Sequence, residues 1–244
     1  MLSHVTCEEP NEVLQWYFTL MSSSPDIQAE KTPRPTRPVA ERMRPLRLEE
    51  VRGQSHLLGK DCLLPKLIRE NRVGNLILAG PPGTGKTTLA TVIAEESKCK
   101  QIKLNAVTSN VTELRESLRL ARYYGAEKCF LFVDEIHRFN KAQQDLLLPD
   151  IESGEVRLIG ATTHNPRYYV IDPLLSRSQL FTLQPLEINE IEKALLACID
   201  NHENGLGVRK CRTKPKAINQ IARLAEGDLR KAYNIIEIIV DGLP

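Results

Sequence analysis

From about Leu46 the chain alternates short apolar runs with stretches of helical spacing. Residues 76–79, 101–105, 130–133, 157–161 and 180–183 form apolar or β-rich runs of four or five residues. That is the length of interior strands. Turn residues and helical stretches separate them, notably 89–96, 112–124 and 141–148. Alternation of this kind predicts an α/β fold: a five-stranded parallel sheet flanked by helices, because parallel strands need crossover connections. After Pro185 the strands stop. Residues 187–201 carry Ile188, Ile191, Leu195 and Ile199 at helical spacing, and 215–225 repeat the pattern with Ile218, Ile221 and Leu224. Gly227 reads as the cap that ends this helix. Asp228 then caps a last helix with Leu229, Ala232, Ile236 and Ile239 turned inward. A small all-α lid domain over 186–244 therefore follows the α/β domain of 39–185.

Residues 1–38 read as an extension. The first 24 lack periodicity and hold the sole tryptophan, Trp16, beside Tyr17 and Phe18. They read as a dispensable tail, with a partner-binding peptide, one docking on a sliding clamp for instance, as the alternative. Pro25, Pro33, Pro35 and Pro38, interleaved with Lys31, Arg34 and Arg37, suggest an extended basic linker. Composition adds exclusions. The chain is 41% hydrophobic and 26% charged, as in soluble globular proteins, and its formal net charge is only +2. With no overall basic field, nucleic-acid binding would have to come from local patches or from a ring of subunits. Six scattered cysteines without a C-x-x-C pair read as reduced thiols. No apolar run approaches the 18 or so residues that span a bilayer, so no membrane association is expected.

The candidate chemistry begins at Gly80, Pro81, Pro82, Gly83, Thr84, Gly85, Lys86, Thr87 and Thr88. An apolar strand precedes this stretch and a helix follows it, the context in which G-x-x-x-x-G-K-[ST] is a phosphate loop. Glycines let backbone N–H groups close around phosphate oxygens, and the helix N-terminus adds partial positive charge. Lys86 can reach the β- and γ-phosphates, and the Thr87 hydroxyl can ligate Mg²⁺. The expected ligands are thus ATP and Mg²⁺. A second signature is the apolar strand that ends in Asp134 and Glu135. Alone it reads equally well as a buried strand with a solvated acidic end. Downstream of a phosphate loop, Asp134 becomes the Mg²⁺ carboxylate and Glu135 the general base for the attacking water.

Three further positions are candidates. Thr162 and Thr163 end a third strand, where a hydroxyl can bond the γ-phosphate or the water. Arg177, in Leu174-Leu-Ser-Arg177, can act as an arginine finger toward a neighbour's nucleotide. Arg230, in Gly227-Asp-Leu-Arg230, can fold back onto the γ-phosphate. From the residues alone, both arginines read as well as solvated surface groups.

In this order the motifs resemble an AAA+ ATPase of the P-loop NTPase class. Residues 39–46, 53–59, 134–145, 148–163 and 174–177 narrow the resemblance to the replication-associated recombination protein A family, whose eukaryotic relative is the Werner helicase-interacting protein. The resemblance covers about 39–240. It implies a clamp-loader-like, DNA-stimulated ATPase acting at stalled or gapped forks, in replication, recombination and damage tolerance. DNA forks, gaps and single-strand/duplex junctions are the implied partners, with single-strand-binding protein or a sliding clamp beside them. It implies Lys86, Thr87, Asp134 and Glu135 in the roles above, Arg177 as a finger in trans within a homo-oligomer or ring, and Arg230 as second sensor. The segment 51–58 is placed near the adenine, and related motors favour Thr163 over Thr162 as first sensor. A cytoplasmic, nucleoid-associated location is implied for a bacterial source and a nuclear one for a eukaryotic source.

The chain departs from the family pattern in places. His164 stands where the family usually has Glu, and reads as a surface residue. Ser178-Gln179 is not the usual pair after the finger. The family normally continues into a helical tetramerisation domain, which is not expected before Pro244. Alternatives are a clamp-loader subunit, a Holliday-junction branch-migration motor, and a nucleotide-bound adaptor or inactive fragment that does not hydrolyse.

Overall fold

The computed structural model describes residues 27–28, 37–209 and 211–242. The Trp16 segment, Cys7 and most of the basic linker lie outside them. In chain order the elements are β1 (Ile27–Gln28), α1 (Val39–Arg42), α2 (Ser55–Leu58), α3 (Leu63–Arg69), β2 (Leu76–Ala79), α4 (Lys86–Glu96), β3 (Lys100–Asn105), α5 (Val111–Tyr124) and β4 (Cys129–Asp134). They continue with α6 (Lys141–Asp145), α7 (Leu148–Glu152), β5 (Arg157–Thr162), α8 (Pro166–Tyr169), α9 (Asp172–Ser176), β6 (Gln179–Thr182), α10 (Ile188–Asp200), β7 (Arg212–Thr213), α11 (Pro215–Leu224) and α12 (Leu229–Gly242).

Five strands form one parallel sheet in the order β3-β4-β5-β2-β6. Side chains on a strand alternate between faces, and here the two faces bury different neighbours. Leu76, Leu78, Phe130, Phe132 and Ile159 pack with α3 and α4, through Leu64, Ile68, Leu89 and Ile93. Ile77, Leu131, Val133 and Leu158 pack on the other face with α5, through Leu114 and Leu118. Burying each such side chain contributes about 1.5–3 kcal/mol before the entropy of ordering is counted. The five expected strands and the covering helices are all present, as in the AAA+ P-loop fold.

Three local expectations need correction. The helix expected over 141–148 is two helices, because Pro149 lacks an N–H and its ring would strike the Asp145 carbonyl. The phosphate-loop helix starts earlier than residue 89: Lys86 and Thr87 already lie in its first turn. In the lid, Ile188 and Leu224 are 39% and 38% exposed rather than inward. Ala194, Cys198, Ala222 and Ala225 complete the buried stripes with Ile191, Leu195, Ile218 and Ile221. The turn after α11 also uses two left-handed residues, Glu226 as well as Gly227.

The lid core takes a side chain from far upstream. Val39 is fully buried among α10–α12, its N–H donates to Glu237 Oε1 at 3.0 Å, and Arg42 donates to the carbonyls of Asn204 and Gly205. Ile27 and Gln28, within the expected linker, form a short antiparallel pair with β7. Gln54 joins the α/β domain to the link into the lid. Its amide exchanges hydrogen bonds with the Gln184 backbone at 2.7 and 2.9 Å. The described cysteines are free thiols, and burial in the lid pushes the Cys198 thiol up to about 12.

Candidate active site

Register places the candidate residues. Ala79 of β2 pairs with Thr162 of β5, and Val133 of β4 pairs with Gly160 of β5. The loop after β2, the hydroxyls after β5 and the carboxylates after β4 therefore meet at one carboxyl-terminal sheet edge, where ligands bind in open α/β sheets. A cavity of about 470 Å³ lies there, between the sheet edge and α12. Such a volume suits a nucleotide-sized ligand. Pro82 to Thr88, Asp134, Glu135, Thr163 and Arg230 line it, with Val51 and Arg52 on one wall. Of the 51–58 segment, those two residues reach the cavity, while α2 does not line it.

The loop conformation needs its glycines. Gly83 and Gly85 have φ of +69° and +98°, which side chains rarely tolerate. A Cβ on Gly83 would overlap the carboxylate of Asp228 in the lid, so loop and lid touch at this point. A Cβ on Gly85 would meet nothing within 4 Å, leaving open space over the N-terminus of α4.

Lys86 is buried, and its ammonium donates to the Gly80 and Pro81 carbonyls at 2.7 and 2.8 Å. Burial lowers its pKa, against the opposing pull of the Glu135 and Asp134 carboxylates. Thr87 Oγ1 donates to Asp134 Oδ2 at 3.2 Å. A hydroxyl and a carboxylate side by side are the hard oxygen donors that Mg²⁺ takes. The described residues hold no group of three or more His, Cys, Asp or Glu suited to a metal. An ion on Thr87 and Asp134 would complete its shell from phosphate and water, as Mg²⁺ usually does. The residues fit the ion.

The two threonines part company. Thr163 Oγ1 donates to Glu135 Oε2 at 3.2 Å and lines the cavity. Thr162 is fully buried and faces away; its hydroxyl bonds His164 backbone and lies 3.0 Å from His137 Nδ1. Arg177 lies outside the cavity wall, at the end of α9, with Nη2 2.8 Å from Glu152. His164 is exposed, as expected, yet its ring packs on His137 at 4.2 Å between centroids. The sequence reading assigns no role in the site to two residues that touch it. Asp228 meets the phosphate loop, and His137 lies 3.2 Å from the Glu135 carboxylate. A histidine three residues after Asp134 is a visible signal, but an isolated histidine at a strand end has no chemistry until its partner is placed.

Comparison with known proteins follows this geometry. Residues 76–186 match the model of the ATPase family associated with various cellular activities (AAA). Replication-associated recombination protein A of Haemophilus influenzae is 42% identical over 206 residues, covering 84% of this chain and 46% of that protein. The ATPase WRNIP1 of Dictyostelium discoideum is 40% identical, covering 83% of this chain and 23% of its own length. The chain thus spans a little under half the length of such bacterial relatives. The solved Holliday junction branch migration motor RuvB of Thermotoga maritima superposes with a TM-score of 0.65 at 28% identity, over 79% of this chain and 63% of the motor.

Proposed function

Since the chain belongs to the AAA ATPases of the replication-associated recombination protein A family, we propose that it is a DNA-stimulated, Mg²⁺-dependent ATP hydrolase of the clamp-loader-like kind, working on forks, gaps and single-strand/duplex junctions. The observation that carries this reading is the convergence of Thr87, Asp134, Glu135 and Thr163 at one sheet edge, within hydrogen-bond distance of one another in pairs.

The substrate's triphosphate lies over the first turn of α4, with Lys86 and backbone N–H groups on its oxygens. A bound Mg²⁺ on Thr87 and Asp134 would screen phosphate charge. Glu135, its carboxylate fixed by the Thr163 hydroxyl, accepts a proton from the attacking water. The water oxygen bonds to the γ-phosphorus as the bond to the bridging oxygen breaks, giving ADP and phosphate. Arg230, on α12 above the cavity, faces the γ-phosphate from the lid. Arg177 lies outside its own cavity, so it serves a neighbour's substrate in a homo-oligomer or ring. Single-strand-binding protein and a sliding clamp are the further partners of this reading. Its location is the cytoplasm and nucleoid in bacteria and the nucleus in eukaryotes.

The test is steady-state ATP hydrolysis by the chain, with and without duplex DNA bearing a single-stranded gap. Stimulation by the gapped DNA is the expected result. ATP binding without turnover in both conditions would instead favour the adaptor reading.

A further inference from the structure

The Glu135 carboxylate has two neighbours with protons to offer. One is Thr163, on the cavity side. The other is His137, on the single 3₁₀ turn, Ile136–Arg138, that follows Glu135. Its side chain is 5% exposed, and Nδ1 lies 3.2 Å from Glu135 Oε2 and 3.0 Å from Thr162 Oγ1.

The surrounding hydrogen bonds choose the tautomer. Thr162 Oγ1 lies 3.3 Å from the His164 carbonyl and 3.1 Å from the His164 N–H. With its single proton on that carbonyl, it offers a lone pair toward His137. Glu135 also offers only lone pairs. A bare Nδ1 would then face two acceptors, an electrostatically unfavourable arrangement inside a protein. A proton on Nδ1, bonded to Thr162 Oγ1 and 3.2 Å from Glu135 Oε2, removes that clash of lone pairs. Burial lowers the His137 pKa, which keeps the ring neutral and this tautomer relevant near pH 7.

The ring is also fixed from behind. His164 and Tyr169 stack against it edge-on, at 4.2 and 6.0 Å between centroids. Gln144 is buried and pins the backbone on both sides of that aromatic group. It donates to the Phe139 and Tyr169 carbonyls and accepts from the Ile171 N–H, all at 2.9–3.0 Å. The titratable and charged groups facing His137 are Glu135 just before its turn, Arg138 on the turn, His164 after β5, and Tyr169 on α8.

We propose that His137 is the positioning residue of this active site: its Nδ1–H, beside the Thr163 hydroxyl at the same oxygen Oε2, holds the Glu135 carboxylate and sets its aim at the attacking water. Two donors on Oε2 leave Oε1 as the free acceptor. The inference rests on Glu135 acting as the general base.

The experiment compares His137→Asn with His137→Gln. Asn places an N–H near the position of Nδ1, whereas Gln places it near Nε2 and fills more of the ring's volume. With ATP and gapped DNA, His137→Asn is expected to keep kcat within about threefold of the parent. His137→Gln is expected to lose roughly ten- to a hundredfold, the scale of a misplaced catalytic group. ATP affinity stays unchanged in both. Equal kcat in the two variants, or a better Gln variant, overturns the proposal, since a purely space-filling histidine favours the larger side chain. Glu135→Gln, run in parallel, separates the premises. If it still turns over, the general-base reading fails; if it is inert while Asn and Gln behave alike, only the positioning role fails. A ¹⁵N imidazole NMR spectrum of the unmodified chain gives an independent check that needs no variant to fold. A proton on Nδ1 is expected for His137, and a proton on Nε2 alone overturns the assignment.

Discussion

Glu135 has a backbone φ of +53°, in the left-handed region that a glutamate seldom occupies. Strain of this kind costs about 1–3 kcal/mol and persists where the surroundings over-determine it. Here Glu135 N–H donates to Asp134 Oδ1 at 3.1 Å, Thr163 Oγ1 donates to the carboxylate, and His137 Nδ1 lies 3.2 Å from it. The kink turns the side chain away from the strand line and toward the cavity. Glu135→Gln keeps the shape and removes the base, so ATP binding should persist while kcat falls by roughly 10²–10⁴; a nucleotide titration beside a phosphate-release assay tests both. Lys86→Ala should abolish ATP binding, because it removes the one ammonium inside the loop; equal affinity in variant and parent would contradict the role. His137 carries a pH signature. Its folded pKa lies below the ordinary 6.5 chiefly through burial. As pH falls through 6.5, the unfolded chain takes up the proton first, so stability drops there and levels off below the folded pKa. Denaturant midpoints from pH 8 to 5 should show this drop in the parent and a smaller one in His137→Asn.

Among the elements, those whose residues bury on both faces were legible. β2 and β4 carry unbroken apolar runs, and their placement inside the sheet, away from both edges, follows from that alone. The phosphate loop was legible because few backbones satisfy its glycine spacing. The lid helices were readable as periods, but not in which positions face inward. Ile188 and Leu224 sit at the rims of their stripes, where alanines allow the helices to approach closely. The β1–β7 pair and the burial of Val39 in the lid were not readable. Two-residue strands have no period, and one valine does not declare its partner nearly 200 residues on. Spacing does not separate the two threonines; in the structure the Thr163 hydroxyl bonds Glu135, while the Thr162 hydroxyl lies against His137 and the His164 backbone. At this scale Gly83→Ala is the informative change. It puts a methyl into the Asp228 carboxylate on a left-handed backbone, so the loop or the lid must shift. A loss of about 2–3 kcal/mol is expected, seen as a lower Tm together with weaker ATP binding.

For the whole molecule, the informative residue is Arg177, because it sits outside the cavity its own chain provides. Its pair with Glu152 is exposed on both sides, and such pairs contribute only about 0–1 kcal/mol. Arg177→Ala should therefore leave Tm nearly unchanged, yet lower DNA-stimulated turnover by roughly 10³-fold or more if it is a finger in trans. Mixing it with the Lys86→Ala chain should restore part of the turnover, since each supplies what the other lacks. Unchanged turnover in Arg177→Ala would remove the trans reading. The proposed DNA binding would, at so small a net charge, have to come from local contacts, and the slope of affinity against salt would count the phosphates engaged.

The touch between Gly83 and Asp228 has a mechanical side. Asp228 is the first residue before α12, capping it through the Lys231 N–H at 3.0 Å. α12 runs fourteen residues, so it is a rigid rod about 21 Å long. A rod pushed at its foot moves furthest at its tip. At that tip Asp241 meets Arg209 at 2.7 Å. A change of an ångström in the width of the phosphate loop would thereby be carried across the lid as a tilt, a lever whose short arm rests on the loop at Gly83.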